Sequence, residues 1–263
     1  MKKEIVMWLI IAVLVVGALL LGTQKAETMA INFVNGSSLK YTNPTAVLNL
    51  ATKTVTGWIQ ITGNNTAGFP HVIFLIDNAG VSTFEFLVYR DATYNSITVS
   101  QNAATSGGLW FSNQSLALNT PYRIVITYDN SLAANDPIIY LNGVAQSLDS
   151  DTNPVGAVTS ETGLDAYIGG YATVNEYSRI IIHDQRVYNR IWTAAEVALD
   201  YSARGRDNIR NGLVSCPFLN GAAGLQAFDG ATLVAGNTIV DPCSGAVGVP
   251  AGNPVGVGET YLR

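Results

Sequence analysis

The segment from Tyr122 to Gln146, YRIVITYDNSLAANDPIIYLNGVAQ, decides how the rest of the chain is read. It holds two apolar runs, RIVITY and IIYL, separated by a polar excursion with one proline. Asn142-Gly143, between IIYL and VAQ, is a two-residue hairpin signal, because both residues tolerate the positive φ of a type I′ turn. Short apolar runs bounded by turn residues predict antiparallel strands. The alternation in the pair fills a core, so this stretch reads as scaffold rather than as chemistry.

The same pattern extends from Ala30 to about Ile191. MAINFVNGSSLKY reads as strand, Asn35-Gly36 turn, strand, and TVTGWIQIT alternates Val55, Gly57, Ile59 and Ile61 against Thr56, Trp58, Gln60 and Thr62. Further runs are HVIFLID, TFEFLVYR, SITVSQ, GLWFS, DAYIGGY and SRIIIHDQRVYN. Some ten strands with no long helix between them predict an all-β antiparallel sandwich rather than βαβ units. One short helix is expected in WTAAEVALDY, where Thr193 and Glu196 form a capping box. After Tyr201 the character changes to a polar, basic linker, SARGRDNIRNG, and then to a Gly-, Ala-, Val- and Pro-rich stretch of weak periodicity. The expected organisation is an N-terminal segment over 1–29, a sandwich domain over 30–201, and a linker with C-terminal extension over 202–263.

Composition bounds the function. The 263 residues fit one large β domain with appendages, and only 13% are charged. That profile is extracytoplasmic rather than cytosolic. A formal net charge of −5 gives no electrostatic reason to expect nucleic acid as a partner.

The chain opens with Lys2 and Lys3 and then carries no charge from Ile5 to Gln24. As a helix, Ile5 to Gly22 reaches about 27 Å, at the border between a long signal-peptide core and a short membrane span. The lysines favour a cytoplasmic N-terminus with the remainder exported. Thr28-Met29-Ala30 is a weak cleavage motif well beyond the apolar run, so a retained N-terminal hydrophobic helix is expected, with secretion the alternative. Cys216 and Cys243 both fall in the C-terminal extension. In an exported chain such a pair is expected to form a disulfide. The chain-entropy model gives that closure roughly 3–4 kcal/mol, a useful staple for a segment with few large apolar residues.

The ordered set INFVNGSSLKY, VTGWIQI, YRIVITYDNS through IIYLNGVAQ, AYIGGY and SRIIIHDQRVYNRIWTAAEVALDY resembles the LamG-like jelly-roll modules of the concanavalin A-like lectin/glucanase superfamily. The resemblance covers about residues 30–201. It implies two curved antiparallel sheets of six or seven strands each, with Trp58 and Trp192 at core positions.

Hydrolases of that superfamily carry two or three carboxylates on one strand, spaced by two so that they share a face. The nearest candidate, Glu85 in STFEFLVYRD, has no acidic partner before Asp91. His71 and His183 lie in different strands with no nucleophile motif beside them. Catalysis is therefore not expected, and both histidines read as structural. The resemblance also implies one calcium ion at the sandwich rim, a hard cation that takes six to eight oxygens. Candidate ligands are Asp77, Asn78, Asp129 and Asp165. Asp and Asn equally form turns at such positions, and no oxygen-rich loop of fixed spacing is visible. Sugar rings stack on exposed aromatic rings, and the candidates for that role are Tyr94, Trp110, Tyr171 and Tyr177, with Asn175 as a hydrogen-bonding neighbour. Arg179, Arg186, Arg190, Arg204, Arg206 and Arg210 gather late in the sequence and are expected at solvated positions, or against an anionic glycan, lipid headgroup or partner chain.

Two functions compete. One is a non-catalytic, surface-displayed carbohydrate-binding or adhesion module whose partner is a glycan or cell-surface polymer. The other is a structural subunit of a virion or cell-surface assembly, self-assembling through its termini and attached to membrane by its N-terminal helix. The Gly/Val-rich extension favours assembly, since a simple lectin has no need of it; the fold alone does not choose.

Overall fold

The computed structural model describes residues 30–33, 38–65, 69–78, 81–90, 95–171, 176–204, 207–216, 239–240, 243, 247–251 and 255–257. The expected N-terminal helix, Ile5 to Gly22, lies outside these residues. Among the described residues no helix is long and apolar enough to cross a membrane.

The sequence-predicted strands form, and they build two antiparallel sheets packed face to face. One sheet contains β1 (Ala30–Phe33), β3 (Thr52–Ile61), β8 (Pro121–Asp129), β9 (Ile138–Leu141), β10 (Val144–Ala145), β15 (Ile180–Tyr188), β16 (Leu213–Ser215) and β19 (Val255–Val257). Its order is β10-β9-β8-β3-β15-β1-β19, with β16 also paired to β15. The other contains β2 (Ser38–Tyr41), β4 (His71–Asn78), β5 (Val81–Arg90), β6 (Asn95–Gln101), β7 (Gly108–Asn113), β11 (Ser150–Thr152), β12 (Asp165–Ile168), β17 (Ile239–Val240) and β18 (Val247–Ala251). Its order is β11-β7-β6-β5-β4-β12-β2-β18-β17. A separate two-stranded ribbon pairs β13 (Gly170–Tyr171) with β14 (Glu176–Tyr177).

The sheets are wider than the expected six or seven strands. Four of the strands, β16 to β19, lie beyond Tyr201, so the extension is woven into both sheets rather than appended to them. Cys216 and Cys243 are disulfide-bonded, with Cα atoms 5.5 Å apart, as the export reading required.

The opening segment folds as its pattern dictates. β8, β9 and β10 pair in succession, and Asn142 and Gly143 adopt φ of 50° and 82° at the turn. Inward-facing Ile124 and Ile126 join Phe33, Ile59, Phe84, Phe86, Trp110 and Ile182 in the sandwich core. Gly169 marks a tight place: its φ is +81°, and a Cβ there would lie 2.0 Å from the Phe33 ring.

Parity along β15 is broken by a bulge. His183 pairs Trp58 and Arg186 pairs Thr56, so two residues, Asp184 and Gln185, stand opposite Gly57 alone. Asp184 takes φ 48° to make the extra step. Before the bulge Ile180 and Ile182 point into the core; after it Val187 does, while Arg186 and Tyr188 face outward. Gln185 turns inward and donates from Nε2 to the carbonyl of Ile73, 2.9 Å away in the facing sheet. Ile73 sits where β4 itself slips register against β5, so one irregularity supplies the donor for a carbonyl at the other.

Outside the bulge lies a buried charge cluster that the sequence does not announce. Arg123 of β8 donates from Nε and Nη2 to Asp200 of α1 (Ala194–Ala203) at 2.7 and 2.6 Å, and from Nη1 to the Asp184 carbonyl at 3.0 Å. Arg186 reaches Asp184 at 2.8 Å, Asp200 at 2.8 Å and Asp207 at 2.7 Å through Nη2. Its Nη1 donates to Tyr188 Oη at 3.0 Å, and that hydroxyl donates to the Ile209 carbonyl at 2.9 Å. For Arg186 the expectation of a solvated position is corrected, since it is 1% exposed, while Arg179, Arg204 and Arg210 are exposed as expected. Burial holds the Asp200 carboxyl above its usual range against the pull of Arg123 and Arg186. Burial also opposes ionisation of Asp207, but Arg186 outweighs it and sets that carboxyl at about 2.

Helix α1 begins as its sequence predicts, with Thr193 as N-cap and a complete Thr193–Glu196 capping box. Arg190 donates to Glu196 at 2.6 Å and, with the Thr193 bonds, brings that carboxyl down to about 2. Tyr188, Trp192, Val197, Ile209, Val125 and Tyr140 form a second apolar cluster under the helix.

Two outcomes test this account. Arg186→Ala leaves buried Asp207 without its arginine and takes one of two guanidinium partners from Asp184 and Asp200, and is expected to lower unfolding free energy by roughly 3–5 kcal/mol in urea titration. Gly169→Ala forces a non-glycine residue into positive φ against Phe33, and a loss of soluble folded protein or a clearly lower melting temperature is expected.

Candidate functional site

Strand register sets Tyr171 and Tyr177 near one end of the nine-stranded sheet and Asp77, Asn78 and Asp165 at the other. β12 runs antiparallel to β4, with Asp165 opposite Asp77 and Tyr167 opposite Leu75. The chain then passes Gly169, whose N–H donates to the Val72 carbonyl at 3.0 Å, and enters the β13–β14 ribbon. The ribbon therefore lies against the start of β4 and beside β2, with Tyr171 opposite Glu176 and Gly170 opposite Tyr177. The start of β4 also pairs with the end of β5, the strand that leads into the segment carrying Tyr94. Tyr94 and Asn175 lie outside the described residues; Tyr171 and Tyr177 are placed by their backbone.

The foot of the ribbon is pinned. Ser178 Oγ accepts from the Val72 N–H at 2.9 Å, and His71 Nδ1 accepts from the Arg179 N–H at 3.1 Å. His71 is fully buried. Burial, with Arg179 and Arg90 adding to it, pushes its pKa down to about 4, so at neutral pH it is an uncharged acceptor. That is the structural role expected of it.

Trp110 requires a correction. It is 0% exposed, inside the sandwich, where Nε1 donates to Asp136 Oδ1 at 2.9 Å and the indole packs 5.2 Å from the Tyr128 ring. GLWFS is apolar on both faces, so its alternation does not say which set is buried; Leu109, at 43% exposure, takes the outer face instead. Gly108 makes the room, since a Cβ there would stand 2.4 Å from the Trp110 ring. A buried indole cannot stack on a sugar.

At the opposite end of the sheet the acidic candidates do not form one ligand set. Asp77 accepts from Ser82 Oγ at 3.0 Å. Its cross-strand neighbour Asp165 accepts from the Asn43 N–H at 3.1 Å and carries Lys40 at 2.7 Å. Asp129 lies in the other sheet and accepts from the Ser131 N–H at 3.0 Å, and the Ser131 hydroxyl together with that backbone bond lowers its pKa. Asn78 ends β4. Among the described residues there is no group of three or more His, Cys, Asp or Glu placed to hold a metal ion. With Lys40 already on Asp165, these residues fit calcium poorly.

Glu85 is likewise occupied: Ser100 Oγ, directly across on β6, donates to it at 2.5 Å. It belongs to the outer face of the nine-stranded sheet, which sequence reading missed. There Val72, Leu75, Leu87 and Tyr167 form an apolar cluster with Tyr89, separate from the core and next to the ribbon. The signal was present, because HVIFLID and TFEFLVYR are apolar at both parities, which is excessive for a strand solvated on one side.

The chain belongs to the concanavalin A-like lectin/glucanases superfamily, whose laminin G model matches residues 35–198. The resemblance read from the strand order thus holds over that span. No curated protein matches the chain. Its fold is similar to that of a candidate carbohydrate-binding protein from Bacteroides ovatus, with a TM-score of 0.62 and 17% identity over 89% of this chain. The chain spans 60% of the length of that protein. It is also similar to the heptameric SAP-like pentraxin of Limulus polyphemus, with a TM-score of 0.52 and 15% identity, covering 71% of this chain and 88% of the pentraxin. At these identities the likeness is one of fold.

The pinned ribbon generates a pH prediction. His71 titrates at about 4 when folded against 6.5 as its ordinary value, so between these limits the unfolded chain binds more protons. Its contribution is full above about pH 6.5 and is lost as pH falls toward about 4, a loss on the order of 3 kcal/mol. His71→Gln is expected to flatten that part of the stability–pH profile measured by urea unfolding. The protection factor of the Arg179 amide, its exchange rate relative to the intrinsic rate at each pH, should fall with acidification in the native chain.

Proposed function

We propose that this protein is a non-catalytic carbohydrate-binding or adhesion module displayed outside the cytoplasm. The observation that carries the reading is the β13–β14 ribbon. Its paired backbone carries the candidates Tyr171 and Tyr177 next to the start of β4, above hydrogen bonds made by His71 and Ser178, which supports a loop presented on a fixed scaffold. Membership of a lectin/glucanase superfamily supports it, as does the fold shared with a candidate carbohydrate-binding protein. The non-catalytic part is supported by Glu85, a single carboxylate engaged by Ser100. The disulfide supports an oxidising compartment. Tyr94 and Asn175 are proposed as the ribbon's neighbours in the site, and the reading is built without calcium.

The second reading, a structural subunit of a surface or virion assembly, is favoured by one observation. The C-terminal strands pair with the first strand of each sheet, which makes them elements that could serve a neighbour.

A glycan array probed with the protein, with and without calcium, tests the first reading. Binding to a defined glycan subset is expected, and Tyr171→Ala or Tyr177→Ala should weaken it by tenfold or more, in line with about 1–3 kcal/mol for a stacked ring. Trp110→Ala should instead lower stability by about 3–5 kcal/mol. No binding anywhere on the array, in either condition, would count against the proposal.

A further inference from the structure

The two strands that open the sandwich occupy a special position. β1 lies in one sheet and β2, next along the chain, in the other. Within the 30–201 body each has one neighbour: β15 for β1 and β12 for β2. Without the extension, both sheets would therefore end in an open edge, with rows of unpaired N–H and C=O groups. The extension covers both, and β19 and β17 become the outermost strands. β19 lies on β1, with Ala30 opposite Val257 and Asn32 opposite Val255. β18 lies on β2, with Tyr41 opposite Gly248, Lys40 opposite Val249 and Ser38 opposite Ala251.

Backbone pairing of this kind is indifferent to which chain supplies the strand. The same register, with the same hydrogen bonds, forms when the strand comes from another molecule, which is why exchange of an identical element is an inexpensive route to assembly. What ties these strands to their own body is covalent. Cys216, which directly follows β16, is bonded to Cys243, just ahead of β18. While that bond stands within one chain, the start of β18 is tethered to the end of its own β16, across the two sheets.

We propose that the outer edges of β1 and β2 form an interaction surface for the C-terminal strands of a second copy of this chain, with the Cys216–Cys243 bond selecting the chain's own strands. Opening the bond by a small thiol releases β18 and β19 for exchange. Re-forming it joins Cys216 of one copy to Cys243 of the other and regenerates the thiol, so two intramolecular disulfides become two intermolecular ones with no net oxidation. This inference does not depend on glycan binding.

The register supplies the test. In a Cys216→Ser, Cys243→Ser background, one copy carries Lys40→Cys and a second carries Val249→Cys. Lys40 and Val249 are Cα partners, and the Lys40 side chain is 41% exposed, so a bond between these positions is within disulfide reach. Mixing the two copies and oxidising them is expected to give a cross-linked pair on a non-reducing gel. Light scattering should show molar masses at integral multiples of the 27.9 kDa chain, against a monomer for the oxidised native protein. A strictly monomeric mass, with cross-linking only when both cysteines sit on one chain, would overturn the proposal. Should the serine background fail to fold, native ¹⁴N and ¹⁵N copies are mixed in a thiol redox buffer and digested. Linked Cys216–Cys243 peptides of mixed isotope support exchange; unmixed peptides alone refute it.

Discussion

Two guanidinium groups and three carboxylates, withdrawn from water together, hold the outer layer of this protein in place. Helix α1 buries only Val197 and Asp200, so its apolar contribution is small and its position depends on Asp200 meeting Arg123 and Arg186. Taking such ions out of water costs several kcal/mol each, and their mutual attraction offsets this only when the geometry is good and the remaining lone pairs are engaged. Bidentate Arg123–Asp200 contact and the branching of Arg186 to Asp184, Asp200 and Asp207 meet the geometric half of that condition, while Asp184 Oδ1 and Arg186 Nε are buried without a hydrogen-bond partner. An apolar patch would tolerate a helix sliding by a residue. A fork that must find its carboxylate does not, so the cluster fixes register more than it adds stability.

The cluster in turn depends on the bulge. In an uninterrupted β15 the residues at 180, 182, 184 and 186 would share one face, and Arg186 would enter the core beside Ile180 and Ile182. One extra residue, accommodated by the positive φ of Asp184, sends Gln185 inward and Arg186 outward. Asp184 also presents its own carbonyl to Arg123. The same short irregularity therefore sets the parity of the strand, supplies a carboxylate and an acceptor to the cluster, and satisfies the Ile73 carbonyl across the sandwich.

Much of the fold was legible because alternation, Asn-Gly turns and a capping box are local signals. The hairpin at Asn142-Gly143 and the helix start at Thr193 follow from a few consecutive residues each, whereas the burial of Trp58 and Trp192 was legible only through the family resemblance. What was not legible is non-local. HDQRVY has no mark that separates a bulged strand from a regular one, so Arg186 reads as solvated when its partners lie 14 and 21 positions away. Trp110 failed for a related reason: GLWFS is apolar at both parities, and only pairing with β6 and β11 decides which face is inside. The extension showed weak periodicity because its strands are short and pair through backbone, and backbone pairing leaves little trace in residue choice. For the site, the sequence named Tyr171 and Tyr177, whose backbones the ribbon brings together, but the outer apolar cluster of Val72, Leu75, Leu87 and Tyr167 needed the sheet order to be seen.

Position links the two functional readings. The ribbon lies beside β2, and β2 is the strand on which β18 pairs. A sugar-binding surface built on one or two stacked rings gains only a few kcal/mol, which by itself gives weak binding. Tethering several such surfaces raises avidity by orders of magnitude without any new contact, provided their geometry allows simultaneous engagement. Strand exchange at the β1 and β2 edges would set neighbouring ribbons at a fixed spacing, because the pairing register leaves no freedom to slide. Were both proposals to hold, adhesion and assembly would be complementary: the strands that cover the β1 and β2 edges are the same elements that would give a weak ligand platform its multivalency.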